Sequence, residues 1–465
     1  MNLSLAEVER ILTGATVTSG GLSVKVTGAR TDSRLVQPGD VFFCIQGQRM
    51  DGHNFAEEAA KRGAAAIVAE QLVETGDAAL LLVKDTVQAM GRLARSLRDK
   101  TTASVTAVTG SAGKTSVKEL LAQVLSETMP VSKNPGNFNN QIGVPLSIFE
   151  ASELDGAWVL EAGVSLPHDM DELGCIIAPD LAVLTNVAKA HTQGLGGLDD
   201  VARIKARLLA YLAEGGRGLV CRDYPELWRE AVKVHPDCIP FSTQNPELDF
   251  YCGYLGLNSA EDGRPKGLFS LKLPTFSAEI RLGVIGRHSA ENIAAAAGAA
   301  HLLGMSAEDI LRGLSQASAG PQRFRLRQAG GVTLVDDTYN ANPLSMERSI
   351  QAARELAGDG PLVLALGEML ELGDLAENEH ERLGRLAAEA GAALVLFHGD
   401  HGESVARGLE ALGFKGGFAV VQTPADAALR LQGMDLTGGA VLFKGSRGRR
   451  METFLTAAAD RLEHS

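Results

Sequence analysis

Residues Ala107 to Ser116 read "AVTGSAGKTS", a glycine-rich turn set between an apolar run and a helical pattern. Upstream, "ASVTAVT" is a short apolar run bounded by polar residues and reads as a buried strand. Downstream, Val117, Leu120, Leu121, Val124 and Leu125 recur at helical spacing, so Lys114 opens a helix. In a strand–loop–helix unit of this kind the loop N–H groups and the helix N-terminus face one point, and Lys114 adds a charge there. Gly110, Ser111, Ala112, Gly113, Lys114, Thr115 and Ser116 are therefore the expected phosphate contacts, with the Thr115 hydroxyl placed to ligate Mg²⁺. Val108 nevertheless stands where G-x-x-x-x-G-K-[ST] carries its first glycine, and this loop opens on Thr109-Gly110 instead.

Outward from the loop the chain is α/β. A length of 465 residues exceeds one core. Residues 1–100 mix short strands such as "DVFFCI" with an Ala-rich helix, "NFAEEAAKRGAAA", that ends in a strand, "AIVAE". Residues 101–326 carry the loop, further buried-strand candidates ("WVLEAG", "LAVLTNV", "RGLVC") and, over 240–285, the alternation of an antiparallel meander. From 327 to 465 strands and helices alternate regularly, as in a doubly wound, Rossmann-like parallel sheet. Three domains are expected: a small α/β N-terminal domain, a central parallel-sheet ATPase-like domain and this C-terminal one.

Bulk properties exclude several function classes. A formal charge of −13 argues against a nucleic-acid partner. Five cysteines without a C-x-x-C pair fit a reducing compartment better than a disulfide framework. The N-terminus lacks the long apolar run of a signal peptide, and no uncharged stretch reaches the roughly 18–20 residues that span a bilayer. The expectation is a cytoplasmic monomer.

Polar residues stand where apolar strands end, which is where parallel sheets bind ligands. Glu161 closes "WVLEAG", His191 follows "LAVLTNVAKA", and Lys205 lies on the helical pattern "DDVARIKARLL". A carboxylate on that rim suits a second Mg²⁺, since hard cations take oxygen ligands; the bland readings are a strand-end charge, a loop histidine and a solvated lysine. "NPGNFNNQIGVP" (134–145) offers amides to a sugar, nucleotide or peptide, or is a plain turn-rich loop. In "DDTYNANP" (336–343) the acids meet ribose hydroxyls or cap the following helix.

Taken together, "TDSRLVQPGDVFFCIQGQRMDGHNFAEEAAKRGAAA", "TGSAGKTSVKE", "GNFNNQIGVPLS", "TNVAKAH", "DDTYNANPLSM", "LGEMLELG" and "FKGSRGRRME" resemble the Mur ligase superfamily, whose phosphate loop also opens on Thr-Gly. Within it they are most similar to the branch that joins D-alanyl-D-alanine to UDP-N-acetylmuramoyl-tripeptide with ATP for peptidoglycan synthesis. The resemblance implies catalytic roles for Lys114, His191 and Lys205, and metal ligation by Thr115, Glu161, His191 and Lys205, the lysine carbamylated. Two Mg²⁺ ions are implied. It adds Asn292, Arg323 and Asp337 to the ATP contacts. Thr31, Ser33 and Arg34 are implied at the UDP end, and Asn137, Asn140, Lys444 and Arg447 are expected at the substrates.

The sequence departs from the family pattern in places. Ser165 replaces an asparagine, Lys189 an acid, "ARLL" follows Lys205, and Gln322 replaces the glycine before Arg323. The rival readings are the sister branch that adds the third amino acid, whose Asp-Asn-Pro-Arg motif is absent here, and a P-loop NTPase without ligase activity.

Overall fold

The computed structural model describes residues 1, 3–12, 16–17, 24–47, 50–188, 195–259 and 265–463. The elements that position the site are, in chain order, strand β1 (Ser104–Thr109), helix α1 (Lys114–Leu125), β2 (Ala157–Glu161), β3 (Leu181–Leu184), α2 (Leu198–Ala206), α3 (Arg287–Leu302), β4 (Val332–Asp337), α4 (Pro343–Ala357), β5 (Leu362–Gly367) and β6 (Ala440–Lys444). The chain forms two compact units. One holds Met1–Thr109, Thr128–Val183 and Lys205–Gly218; the other holds Gly110–Glu127, Leu184–Ile204 and Leu219–Ser465.

In the first unit a five-stranded sheet runs in the order Thr16–Val17, Ala79–Leu82, Ala66–Ala69, Asp40–Phe43, Gly28–Arg30. Its pairings are parallel except at the Thr16–Val17 edge. Val41, Phe42, Phe43, Ile67, Val68 and Leu81 are fully buried, which is why these strands read as unbroken apolar runs. The helix of the Ala-rich run spans Ala56–Lys61 and stops before Gly63, whose φ is 95°, and the strand expected after it is Ala66–Ala69. β2 pairs in parallel with β1, Glu161 opposite Val108, and on its other edge with Val131–Lys133.

In the second unit the strands Tyr251–Ser259, Pro265–Leu273 and Phe276–Leu282 form the expected antiparallel meander. Helix α3 packs against both α1 and the first meander strand. Its run of alanines, Ala294 to Ala297 with Ala299 and Ala300, is almost wholly buried, since side chains this small let neighbours approach closely.

The C-terminal sheet has the order Arg325–Ala329, β4, β6, β5, Leu394–His398, Gly417–Val420. All its pairings are parallel except the first. That first pair is a hairpin closed by Gly330-Gly331, with φ of 55° and 76°, values that the tight twisted turn requires at both positions. The hairpin is an addition to the alternating pattern legible in the sequence. Apolar clusters cover both faces of the sheet, Leu364, Leu442 and Phe397 on one and Val363, Val441 and Phe443 on the other.

Candidate active site

The loop between β1 and α1 leads into the helix without a side-chain cap, and Gly113 begins α1 at φ 79°. A Cβ on Gly113 would lie 2.5 Å from Asn292 Oδ1, so conformation and space both demand glycine. The first turn of α1 carries no acid, leaving the positive end of the helix dipole unopposed. Lys114 Nζ donates to the Gly110 carbonyl at 2.8 Å, which folds the ammonium over the loop.

Asn186, just past the end of β3, is the template for that loop. Its carbonyl accepts from Ser111 N–H at 3.0 Å. Its side-chain amide pairs with Ala112 in both directions, accepting from N–H at 2.8 Å and donating to C=O at 2.9 Å. Asn292 Oδ1 is buried without a hydrogen-bond partner among the described residues. One turn earlier along α3, a cavity of about 620 Å³ opens beside Arg287 and His288 and is lined also by Tyr254, Arg348 and Glu355.

Glu161 ends β2 only 2% exposed. Asn139 donates to its Oε1 at 2.7 Å, and Asn134 brackets its backbone, accepting from the N–H at 2.9 Å and donating to the C=O at 3.0 Å. The Asn-rich segment thus holds the strand-end carboxylate through Asn134 and Asn139. Of the two asparagines singled out there, Asn137 is exposed, and Asn140 accepts from the N–H groups of Ile142 and Gly143 at the start of helix Gly143–Glu150.

Lys205 is 3% exposed near the end of α2, a buried placement that separates it from ordinary surface lysines. The Arg207 guanidinium is engaged by Asp171, Nε to Oδ1 at 2.5 Å, and Tyr211 donates to the same oxygen at 3.0 Å. His191 and Lys189 lie outside the described residues. A buried strand-end carboxylate such as Glu161 is one of the donor types a hard cation takes, and a hydroxyl in the first turn of a helix, such as Thr115, is another.

In the C-terminal sheet Asp337 and Lys444 meet each other, Nζ to Oδ2 at 2.6 Å. Ser349 Oγ donates to the same oxygen and Phe324 N–H to Oδ1. The helix after β4 is capped by Asn342 with Ser345, so neither Asp336 nor Asp337 serves as its cap. Arg323 lies 4.1 Å over the Tyr339 ring, and Arg447, largely exposed, reaches Gln322 Oε1 at 3.2 Å.

The sequence matches the Mur ligase middle domain over residues 108–300, the Mur ligase family catalytic domain over 25–132 and the Mur ligase glutamate ligase domain over 322–447. It is 32% identical to the UDP-N-acetylmuramoyl-tripeptide–D-alanyl-D-alanine ligase of Escherichia coli, covering 98% of each chain. The chain belongs to the Mur ligase family. Among solved structures it is similar to MurF from Acinetobacter baumannii, with TM-score 0.89, 28% identity and 99% of each chain covered. MurF ligase from Thermotoga maritima, solved in complex with ADP, matches with TM-score 0.83 and 30% identity over 94% of this chain and 98% of that one.

In the N-terminal part of this Mur ligase, Asp32 caps the turn Ser33–Leu35 and fastens Arg34, accepting from Nη2 at 2.6 Å. Ser33 is buried and donates to Glu58 Oε2 at 2.9 Å, whereas Arg34 is 77% exposed and Thr31 half-buried. Sequence reasoning missed Asn186, which holds the loop, and Glu291, Arg348 and Tyr224, which form one hydrogen-bonded cluster with it. Asn186 lies inside the motif "TNVAKAH" and could have been found as the polar residue leaving a buried strand. The other three carry no local signal.

Proposed function

We propose that this chain joins D-alanyl-D-alanine to UDP-N-acetylmuramoyl-tripeptide with ATP, giving the UDP-linked pentapeptide, ADP and phosphate. The observation that carries the reading is the Asn186-templated phosphate loop facing the orphan amide oxygen of Asn292, in a chain similar along its whole length to enzymes of that name. The γ-phosphoryl passes to the terminal carboxylate of the tripeptide, forming an acyl phosphate as the bond to ADP breaks. The dipeptide amine then attacks the carbonyl carbon, loses a proton, and phosphate leaves from the tetrahedral intermediate.

Each residue has a task in this reading. Lys114 and the N–H groups of the first turn of α1 hold the phosphates in line and offset their charge. Asn292 holds the adenine side. Thr115, Glu161, His191 and a carbamylated Lys205 would hold two Mg²⁺ ions, which when bound neutralise charge on the transferring oxygens. Arg323 and Asp337 complete the ATP site, Lys444 and Arg447 the acceptor side. Thr31, Ser33, Arg34, Asn137 and Asn140 serve the UDP-linked substrate, with domain functions divided at 1–100, 101–326 and 327–465. Closure of these domains would exclude the water that hydrolyses acyl phosphates. No helix among the described residues is long and apolar enough to cross a membrane. We take the enzyme to be a cytoplasmic monomer.

The test is a substrate panel. ADP release should require UDP-tripeptide and D-alanyl-D-alanine together, and should stop in Lys114→Ala without loss of thermal stability. Release that depends on neither substrate would mean an NTPase. Turnover with the UDP-linked dipeptide and a single amino acid would mean the sister ligase.

A further inference from the structure

Glu291 and Arg348 tie the phosphate loop to helix α4 through Asn186. Asn186 has both amide protons committed, one to the Ala112 carbonyl at 2.9 Å and one to Glu291 Oε1 at 2.5 Å. Glu291, on α3, is 3% exposed. Its Oε2 accepts from Tyr224 Oη at 2.8 Å and from Arg348 Nη2 at 2.7 Å, and Arg348 also bonds the Tyr224 hydroxyl. A carboxylate taken out of water needs opposite charge and full hydrogen bonding. Arg348, Tyr224 and Asn186 supply both.

Arg348 belongs to α4, within the stretch that matches the glutamate ligase domain, while Glu291, Asn186 and the loop lie in the stretch that matches the middle domain. α4 meets the loop a second time at its own start. Asn342 Nδ2 donates to the Ser111 carbonyl at 3.1 Å, and Asn342 is itself fixed by the capping box with Ser345. Neighbouring loop residues, Ser111 and Ala112, are therefore held by the same helix along different routes.

We propose that Glu291 and Arg348 are positioning residues for ATP: Arg348 on α4 compensates and orients Glu291, Glu291 orients the Asn186 amide, and Asn186 shapes the loop that takes the phosphates. The proposal rests on the reading of this loop as the ATP phosphate site. Its physical content is that docking of α4 and phosphate binding form one equilibrium, because ATP meets a shaped loop only while Arg348 is in place. It also accounts for a buried acid linked to a site for a polyanion. Without Arg348 the Glu291 charge would oppose ATP in a setting of low dielectric.

The experiment compares Arg348→Met, Arg348→Lys, Glu291→Gln and the double variant Glu291→Gln/Arg348→Met with wild type. KM for ATP, KM for UDP-tripeptide, kcat and Tm are measured on each full-length protein, with Lys114→Ala as control. Arg348→Met should raise KM for ATP about tenfold and leave KM for UDP-tripeptide within about twofold. Arg348→Lys should recover part of the loss by restoring the charge. The double variant should lie closer to wild type than Arg348→Met, since no buried charge is then left alone. Unchanged KM for ATP in Arg348→Met, or a fall in Tm with KM for both substrates moving alike, would overturn the proposal and leave the network a purely structural one. If Lys114→Ala also keeps its use of ATP, the phosphate-loop reading itself has failed.

Discussion

Lys444 Nζ lies 2.6 Å from Asp337 Oδ2 where β4 and β6 run side by side, and the two residues are direct partners in the parallel register. The side chains are 3% and 14% exposed. Burial opposes charge on Asp337, yet Lys444, with Ser349 assisting, holds its carboxyl below the usual value. Residues expected to contact different substrates are thus locked to each other.

The consequence is testable by Asp337→Ala, which leaves the Lys444 ammonium buried without its partner. Breaking such a pair costs about 3–5 kcal/mol, and denaturant unfolding should show it. Because the folded-state value is depressed, this carboxylate contributes stability above its unfolded pKa of 3.8, a contribution lost as pH falls through the folded value. The variant should lose that part of the acid limb. Its apparent KM for ATP should also rise, and an unchanged ATP dependence would confine Asp337 to a structural role.

A second prediction concerns Gln322, whose φ is 59°, beside Arg323 and Phe324, the latter at 57°. A side chain in the left-handed region costs roughly 1 kcal/mol, and the resemblance places glycine at this position. Gln322→Gly should therefore raise unfolding stability by about 0.5–1 kcal/mol, less what the exposed bond to Arg447 contributes. A variant less stable than wild type would show that the Arg447 bond outweighs the backbone strain.

Much of this was legible because it is local. The strand–loop–helix unit, the helix start at Lys114, the meander and the alternating C-terminal half all follow from periodicity within short windows. Family resemblance supplied the ligase chemistry. What escaped were contacts between residues distant in sequence: Glu291 reads as one more polar residue in an Ala-rich helix until Asn186, Tyr224 and Arg348 converge on it. The partnership of Asp337 with Lys444 escaped for the same reason, since parallel pairing across a sheet leaves no trace in either motif alone. The Ala-rich run near residue 60 was legible as a helix followed by a strand, and only the helix end lay earlier than the run of alanines suggests.

A third prediction uses His380, which is fully buried between the chain around Met369 and its own helix, Ala376–Glu389. Nε2 accepts from Met369 N–H at 3.0 Å and Nδ1 lies 2.7 Å from the Ala376 carbonyl, an arrangement suited to the neutral ring with its proton on Nδ1. Burial, and the neighbouring His401, push the imidazole down to about 4 from 6.5. Between those values the unfolded chain binds a proton that the folded chain refuses, so stability falls as pH drops through this window. The loss is on the order of 3 kcal/mol. His380→Gln keeps a donor and an acceptor but cannot titrate, and its stability should decline less steeply from pH 6.5 to 4. Equal slopes for variant and wild type would remove His380 from the account.

The last prediction is that Lys205 acts as a carbamate. Only an uncharged amine reacts with CO₂, and burial favours that form; Lys205 is 3% exposed. The charge of Arg207, two residues on, is engaged by Asp171 at the turn that follows α2. The product would carry two oxygens and a negative charge, the donor set a hard cation takes. Lys205→Ala should lose most ligase activity, and acetate should restore part of it by filling the vacated space with a carboxylate. Wild-type protein equilibrated with ¹³C-bicarbonate should show a carbamate carbon resonance that the variant lacks. Full activity in Lys205→Ala, or no such resonance in an active wild-type sample, would leave Lys205 a plain buried ammonium.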